Sequence, residues 1–303
     1  MTQMFNSFLQ HLDEQGLDPK TIANYKASWN KFSKWLLQVD PDLKEPGAAI
    51  QRDIANYKRH MQAAGGRGGK PATESTMHLT FVHLNKIFRY FHQQGMIPTN
   101  PVDPIQKPKA ARRKPKWHTR NEQNAIMREV RRSKSKKDYA IFTVFFHVGL
   151  RVHELCDLLR DELVMNQRSG SVYVRGKGFR DRELPLNADA RYALESYLAD
   201  REEGGSPYVF TSERSSKMSV RGVQHIVEKY RKRTGIKNLT CHSMRHTFGH
   251  ELATGNPPVP LDQVAMLMGH FKETGDPNIQ MTMIYTTPGL KDLASAVESI
   301  SWT

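Results

Sequence analysis

A proline-rich cationic segment divides this chain. Residues 101–116 contain four prolines, and six lysines and arginines stand among them. Proline lacks a backbone N–H and fixes its own φ, so neither a helix nor an inner strand can run through such a segment. The length of 303 residues is enough for about two domains. We therefore predict two domains, residues 1–102 and residues 117–303, joined by a basic linker at residues 103–116.

The chain carries a large positive charge. Its 45 lysines and arginines outnumber 31 aspartates and glutamates, which gives a formal net charge of +14. An excess of this size favours a polyanionic partner. The two cysteines, Cys156 and Cys241, exclude a disulfide framework and fit a reducing compartment. Since the sequence has neither a membrane-spanning apolar run nor a secretion leader, we expect a cytoplasmic protein that does not contact a membrane.

The first hundred residues have the pattern of helices. Asp18 and Pro19 are typical of a helix start, with a side-chain cap and then proline in the first turn. Apolar residues follow at steps of three and four, which places them on one helical face. These residues are Ile22, Tyr25, Trp29, Phe32, Trp35 and Leu36. With two more helices expected at about 47–64 and 72–95, this domain is predicted to be all-α.

Beyond the linker the pattern mixes helix and strand. Helices are expected over 121–132 and over 139–160 with a break at Gly149, and later over 189–202, 219–234, 243–254 and 261–269. Between them, residues 171–174 alternate as a strand does, 176–178 form a turn, and 183–186 resume extended chain. We therefore predict a mixed α+β domain, mostly helical, with a small antiparallel sheet.

The segment at residues 149–155 places an arginine in apolar surroundings. Arg151 follows the helix break at Gly149, and Glu154 stands three residues later. A buried arginine needs a partner, and Glu154 is the candidate. A purely structural ion pair would also explain the two residues.

A second segment repeats histidine and arginine along one helical face. His242 and Arg245 are three positions apart, and His246 and His250 extend the face by one turn each. A zinc site is the alternative, but the carboxylate of a His-Glu-x-x-His helix is missing. Histidine and arginine without acids suit an anion such as phosphate. We therefore predict no metal here and assign His246 and His250 to packing.

The order of these segments is more specific than any one of them. The chain contains Gly-Leu-Arg-x-x-Glu-Leu, a Gly-Lys-Gly turn, His-x-x-Arg-His-Thr, Gly-His and a late tyrosine, in that sequence. This set resembles the tyrosine recombinase family, also called the phage integrase family, over nearly the whole chain. The resemblance implies a SAM-like helical core-binding domain followed by the family's catalytic domain. Since the helical pattern begins almost at residue 1, no arm-binding domain is expected, as in recombinases of the Xer, transposon-resolvase or cassette-integrase kind.

The resemblance also implies the chemistry. The implied catalytic residues are Arg151, Lys177, His242, Arg245, His270 and Tyr285. Tyr285 would attack a DNA phosphodiester and form a 3′-phosphotyrosyl link, while Arg151 and Arg245 clamp the phosphate. Lys177 would be the general acid for the leaving 5′ oxygen, and His242 would take or share the tyrosine proton. His270 would contact the phosphate or position the nucleophile, and Glu154 would orient the groups around it.

ATP is not expected, because each step exchanges one phosphoester bond for another. No metal or other cofactor is expected either, because the arginine clamp would replace the metal ions that many phosphoryl-transfer enzymes use. The predicted partner is double-stranded DNA with inverted half-sites. The residues predicted to contact it are Lys107, Lys109, Arg112, Arg113 and Lys114 in the linker, and Arg221, Gln224, Lys229 and Arg231 in the helix at 219–234.

An apolar stripe follows the late tyrosine. Leu290, Leu293, Val297 and Ile300 recur at helical spacing and predict a short tail helix. Recombinases that resemble this chain dock such a tail on a neighbouring protomer, which implies a monomer when free and a homotetramer on paired sites. The tail could also fold back on its own domain.

Two other functions remain open at this stage. A type IB topoisomerase would share the tyrosine and the arginine clamp but would relax DNA without a specific site. A DNA-binding protein without catalysis would lack the nucleophile, whereas Tyr285 is present. The loop between His270 and Tyr285 is roughly half a dozen residues longer than the family pattern, an insertion that a surface loop carries at small entropic cost.

Overall fold

The computed structural model describes residues 3–106, 115–176, 181–201 and 205–286, together with residues 297, 298 and 300. The chain folds into two compact units, Met1–Arg113 and Lys114–Thr303. Each unit has its own hydrophobic core. None of the helices in the described ranges combines the length and the apolar character that crossing a membrane requires.

The described part of the first unit is all-helical. Its helices are α1 (Gln3–Glu14), α2 (Pro19–Val39), α3 (Gln51–Ala63) and α4 (Glu74–Gln93). Helix α2 starts as the sequence predicts, because the Asp18 carboxylate accepts a hydrogen bond from the backbone N–H of Lys20 at 2.8 Å. The core of the unit is aromatic, and Trp29 stacks on Phe5 with ring centroids 4.9 Å apart. Val102 is fully buried in the same core and Ile105 packs against it, so the packing continues past residue 102.

The described part of the second unit is mostly helical around a small sheet. Its helices are α5 (Arg120–Arg132), α6 (Lys136–His147), α7 (Val152–Asp157), α8 (Ala188–Leu198), α9 (Val220–Thr234), α10 (Cys241–Thr254), α11 (Leu261–Met268) and α12 (Ile279–Thr282). A single 3₁₀ turn, Met283–Tyr285, follows α12. Three strands, β1 (Leu163–Met165), β2 (Gly170–Val174) and β3 (Arg182–Pro185), pair antiparallel in the order β1-β2-β3.

These two units confirm the predicted fold class. The one strand that the sequence did not predict is β1, a three-residue segment that pairs with β2 through Leu163 opposite Val172. A strand this short has too few residues to display an alternating pattern, so only its pairing with β2 identifies it as a strand. The predicted helix over 139–160 divides into α6 and α7, because Gly149 adopts φ +67° between them.

Candidate active site

The start of α7 presents an arginine whose partner is fixed. Arg151 occupies the N-cap position, and its backbone N–H donates to the carboxylate of Glu154 at 2.7 Å. The guanidinium donates to the same carboxylate at 2.9 Å and to the backbone carbonyl of Gly269 at 2.9 Å. About a third of the Arg151 side chain stays exposed, whereas the Glu154 side chain is 2% exposed. The predicted ion pair therefore exists, and it leaves one face of Arg151 open.

A second arginine binds the same carboxylate and was not predicted. Strand alternation turns Arg182 inward with Leu184, and its guanidinium donates two hydrogen bonds to Glu154, each of 3.0 Å. Gly269 approaches both arginines closely, because a Cβ placed there would lie 2.9 Å from the Arg182 guanidinium carbon. Burial opposes the ionisation of Glu154, but the hydrogen bonds and charge of Arg182, assisted by Arg151, lower its pKa to about 2.

Helix α10 supplies the third arginine. The Arg245 guanidinium is buried and donates to the backbone carbonyls of Gly149 and Met268, while one of its nitrogens lies 3.8 Å from the Glu154 carboxylate. Burial, aided by the charge of Arg151, lowers the pKa of Arg245 to about 10, so it remains a cation at neutral pH. Three arginines thus surround one carboxylate, and the positive charge left over suits an anion.

The same helix cradles Tyr285. The hydroxyl of this tyrosine lies 3.0 Å from Nδ1 of His246, and one turn further along α10 the Nδ1–H of His250 donates to its backbone carbonyl at 3.0 Å. Gly249 lets the ring approach the helix, since a Cβ there would stand 2.9 Å from Cε2 of the ring. Trp117 stacks on His250 with ring centroids 4.0 Å apart. The tyrosine is 1% exposed, so both ends of it are held inside the site.

His270 lies against the other side of the tyrosine. Its ring is nearly parallel to that of Tyr285, at 15° with centroids 6.0 Å apart. The Thr282 hydroxyl donates to the carbonyl of Asn278, so it accepts a hydrogen bond from Nδ1–H of His270 at 3.0 Å. This contact fixes the tautomer of the ring. Burial, together with Arg245, lowers the pKa of His270 to about 3.

The long loop between His270 and Tyr285 closes on itself. Phe271 and Pro277 form a bridge, Lys272 N–H donates to the carbonyl of Asp276 at 2.8 Å, and Asn278 N–H donates to the carbonyl of His270 at 2.7 Å. The extra residues therefore form a small exposed hairpin between His270 and α12. In spite of the insertion, Tyr285 lies within electrostatic range of Arg245 and Arg151.

A family model for the phage integrase family matches residues 116–289, more than half of the chain and all the described site residues named above. The chain belongs to the phage integrase family. It is a tyrosine recombinase, an enzyme of site-specific recombination.

Curated relatives align along almost the full length of this recombinase. The tyrosine recombinase XerC of Thermodesulfovibrio yellowstonii is 29% identical over 306 aligned residues, which cover 96% of this chain and 94% of the relative. The tyrosine recombinase XerA of Pyrococcus horikoshii is 28% identical and covers 98% and 93% of the two chains.

Solved structures share the fold at lower sequence identity. The integrase of the transposon Tn1549, in complex with a circular intermediate DNA, matches with a TM-score of 0.72 and 19% identity over 99% of this chain and 98% of that one. XerH bound to a palindromic difH substrate matches with a TM-score of 0.73 and 16% identity over 92% and 79%.

Burial of the site keeps the Tyr285 hydroxyl protonated. Burial raises the pKa of Tyr285 to about 12, although Arg245 and Arg151 act in the opposite direction. Burial also lowers the pKa of His246 to about 4, assisted by His242 and Arg245. At neutral pH the phenol is therefore protonated and His246 is uncharged.

The structure brings five of the six predicted catalytic residues into this site, namely Arg151, His242, Arg245, His270 and Tyr285, together with Glu154. His242 lies one turn before His246, with ring centroids 4.0 Å apart. Lys177 lies outside the described residues, as do the predicted linker contacts Lys107, Lys109, Arg112, Arg113 and Lys114. Among the residues that are described, no three histidine, cysteine, aspartate or glutamate side chains gather closely enough to hold a metal ion.

The four residues predicted to contact DNA from helix α9 differ in their surroundings. Arg221 and Gln224 are exposed near the start of the helix. Lys229 instead pairs with the buried carboxylate of Asp138 at 2.5 Å, and Arg231 pairs with Glu228 at 2.6 Å. Arg221 and Gln224 are therefore the better candidates for contact with a ligand.

Proposed function

We propose that this recombinase cuts and rejoins double-stranded DNA at specific sites through a covalent 3′-phosphotyrosyl intermediate. The observation that carries the proposal is the buried Tyr285 hydroxyl, 3.0 Å from a neutral histidine and beside two arginine cations. Such a site lowers the energy of a phosphoryl transition state by placing guanidinium groups where negative charge develops. The full-length relatedness to Xer recombinases supports the same chemistry.

In the proposed reaction, Tyr285 Oη attacks the scissile phosphorus and the 5′ oxygen leaves. Arg151, with its open face, and Arg245, held by backbone carbonyls, bind the non-bridging oxygens. His242 and His270 line the same pocket and contact or position the reacting groups. A 5′ hydroxyl of a second strand then attacks the link and releases the tyrosine. The number of phosphoester bonds is conserved, so the reaction needs no ATP, and the arginine clamp takes the place of a metal ion.

Lys177 is proposed as the general acid for the leaving 5′ oxygen, and its replacement is the first prediction. Lys177→Ala should lower the cleavage rate by about 10²–10⁴-fold, the usual contribution of general acid catalysis. A substrate with sulfur at the 5′ bridging position leaves without that proton and should restore most of the rate. The measurement is the rate of covalent capture on both substrates. Equal loss on both would make Lys177 a binding residue.

DNA contact is proposed for both the linker and helix α9. The linker cations Lys107, Lys109, Arg112, Arg113 and Lys114 would neutralise phosphates, and Arg221 and Gln224 would reach base edges. Inverted half-sites are proposed because the structural neighbour XerH is bound to a palindromic substrate. We propose that the protein acts in the cytoplasm, where its DNA substrate belongs to a chromosome or to a mobile element.

The second prediction concerns the C-terminal tail, residues 289–303, and its role in assembly. We propose a monomer that becomes a tetramer on two paired sites, with the stripe from Leu290 to Ile300 docking on a neighbouring protomer. Deleting residues 289–303 should spare binding to one half-site and weaken cooperative binding, synapsis and strand exchange. Band shifts on one and two half-sites measure this. Normal recombination by the truncated protein would contradict the exchange of tails.

The experiment that tests the proposed function begins by selecting bound duplexes from a randomised pool. The selected sequence is built into a nicked suicide duplex, whose short cleaved fragment diffuses away and prevents rejoining. We expect a covalent adduct in EDTA and without ATP, joined to Tyr285 through a 3′ phosphate and leaving a free 5′ hydroxyl. Absence of any adduct would contradict the proposal. Equally fast relaxation of plasmids that lack the selected sequence would favour the topoisomerase alternative.

A further inference from the structure

We propose that His246, the residue directly after Arg245, takes the proton of Tyr285 during DNA cleavage. This inference rests on the phosphotyrosyl reaction proposed above. The family resemblance implies His242 for this role. Within the described ranges, however, the ring nitrogen at hydrogen-bonding distance from the Tyr285 hydroxyl is Nδ1 of His246, at 3.0 Å.

The contact is built into the fold at both ends of the tyrosine. His250 holds the Tyr285 carbonyl at 3.0 Å, and Gly249 allows the ring to lie against α10. His246 then meets the hydroxyl one turn earlier on the same helix. Because the tyrosine is 1% exposed, bulk water has little access to that hydroxyl, and the histidine is the base within reach of its proton.

The two other histidines of the site face different groups. The ring of His242 packs edge-on against that of His246, at 68° with centroids 4.0 Å apart. His270 uses Nδ1 to bind Thr282, and its ring stacks nearly parallel to the ring of Tyr285. A stacked ring presents its face, whereas proton transfer needs a nitrogen lone pair directed at the hydroxyl. His246 has that arrangement in the tautomer protonated at Nε2.

The proposed step balances as follows. As a lone pair of Tyr285 Oη forms the bond to phosphorus, the hydroxyl proton moves to Nδ1 of His246 and gives an imidazolium. The bond from phosphorus to the 5′ oxygen breaks with its electron pair, and that oxygen takes its proton from the general acid. In rejoining, the imidazolium returns the proton to Oη as the tyrosine leaves.

The charges of the site make this transfer depend on the substrate. Burial, His242 and Arg245 lower the pKa of His246 to about 4, while burial raises that of Tyr285 to about 12. Without a phosphate the proton therefore stays on the phenol. A phosphodiester bound between Arg151 and Arg245 offsets the positive charge that disfavours the imidazolium. Both the nucleophile and its base are thus activated where DNA is bound.

The test replaces the histidine by a residue that bonds the hydroxyl but cannot accept its proton. Asparagine places a polar atom close to the position of Nδ1, so His246→Asn should keep the tyrosine in place. We expect unchanged affinity for the selected duplex and a loss of about 10²–10⁴-fold in the rate of adduct formation. Adduct formation by His246→Asn at the rate of the unsubstituted protein would overturn the proposal.

A more acidic phenol separates proton transfer from positioning. Incorporating 3,5-difluorotyrosine at position 285 supplies a nucleophile that ionises with less help, and it should restore most of the rate lost in His246→Asn. His250→Ala is the matched control, because it removes the neighbouring hydrogen bond to the Tyr285 backbone carbonyl. Its loss should persist with either phenol. Rescue of His242→Asn instead, or no rescue of His246→Asn, would overturn the assignment.

A final measurement needs no histidine variant and covers the case in which His246→Asn does not fold. In the otherwise unchanged protein, fluorination of Tyr285 should alter the adduct rate little, because His246 already removes the proton. A rate that rises in proportion to the acidity of the phenol would show that no base assists and would overturn the proposal. The unsubstituted protein is included in every experiment. If it forms no adduct, the phosphotyrosyl mechanism itself is wrong, and this result is distinct from a wrong assignment of His246.

Discussion

We expect Tyr285→Phe to abolish covalent capture of DNA and to leave DNA binding intact. The substitution removes only the hydroxyl, so the proposed nucleophile is lost while the ring still fills its place against Gly249. The lost hydrogen bond to His246 costs about 0.5–1.5 kcal/mol, too little to unfold a domain of this size. The measurement is the yield of adduct on the nicked suicide duplex, beside a band shift on the uncut duplex.

Tyr192→Phe is the matched control for this result. Tyr192 is exposed on α8, and its replacement should leave capture unchanged. Tyr230 is a poor substitute nucleophile, because it is fully buried and its hydroxyl lies 2.7 Å from both Asp138 and Ser133. Persistent capture by Tyr285→Phe would show that another tyrosine attacks the DNA.

Glu154→Ala should destabilise the second unit more than any substitution on its surface. The carboxylate binds Arg151 and Arg182 and lies 3.8 Å from Arg245. Its removal leaves two buried guanidinium groups without their counter-ion, and breaking a buried pair costs about 3–5 kcal/mol. Denaturant unfolding measures the loss, and cleavage activity should disappear with it because Arg151 loses its support.

The matched control for Glu154→Ala is Glu228→Ala. Glu228 pairs with Arg231 at the surface of α9, and an exposed pair contributes about 0–1 kcal/mol. Equal unfolding midpoints for the two variants would contradict the structural role assigned to the arginine cluster.

The same carboxylate predicts how stability depends on pH. Its pKa is about 2 in the folded protein and about 4.5 in the unfolded chain. Because the folded value is the lower one, the stabilisation is complete above about pH 4.5 and is lost as the pH falls towards 2. The difference corresponds to about 3 kcal/mol. Acid titration of the Glu154→Gln variant should lack this contribution.

Much of the fold is predictable because its signals are local. The cap at Asp18, the proline at the start of α2 and the three- and four-residue spacing of its apolar residues all act within one helix. Strand β1 has no such signal, since Leu163 is held by its pairing with Val172 on β2. Gly149 predicts the division between α6 and α7 from sequence, and its positive φ ends the helix in the structure.

The site was predictable in its residue types but not in its contacts. The alternation of Arg182 with Leu184 turns the arginine inward, yet its partner Glu154 stands 28 residues earlier in the chain. The sequence places His246 on one face of α10 with His242 and Arg245 and predicts that it only packs. Its contact, Tyr285, comes from 39 residues further along, and only the folded chain brings the two together.

The small hairpin at residues 271–277 offers a position for attaching a label to this recombinase. The hydrogen bond from Asn278 N–H to the His270 carbonyl joins its two ends. The length of the hairpin can therefore change without moving the chain that leads to Tyr285. Thr274 and Gly275 lie exposed at the turn, where chains tolerate additions. A fluorophore attached there would lie ten or eleven residues before Tyr285 in the chain. Single-molecule fluorescence would then report when each protomer of the proposed tetramer reacts with DNA.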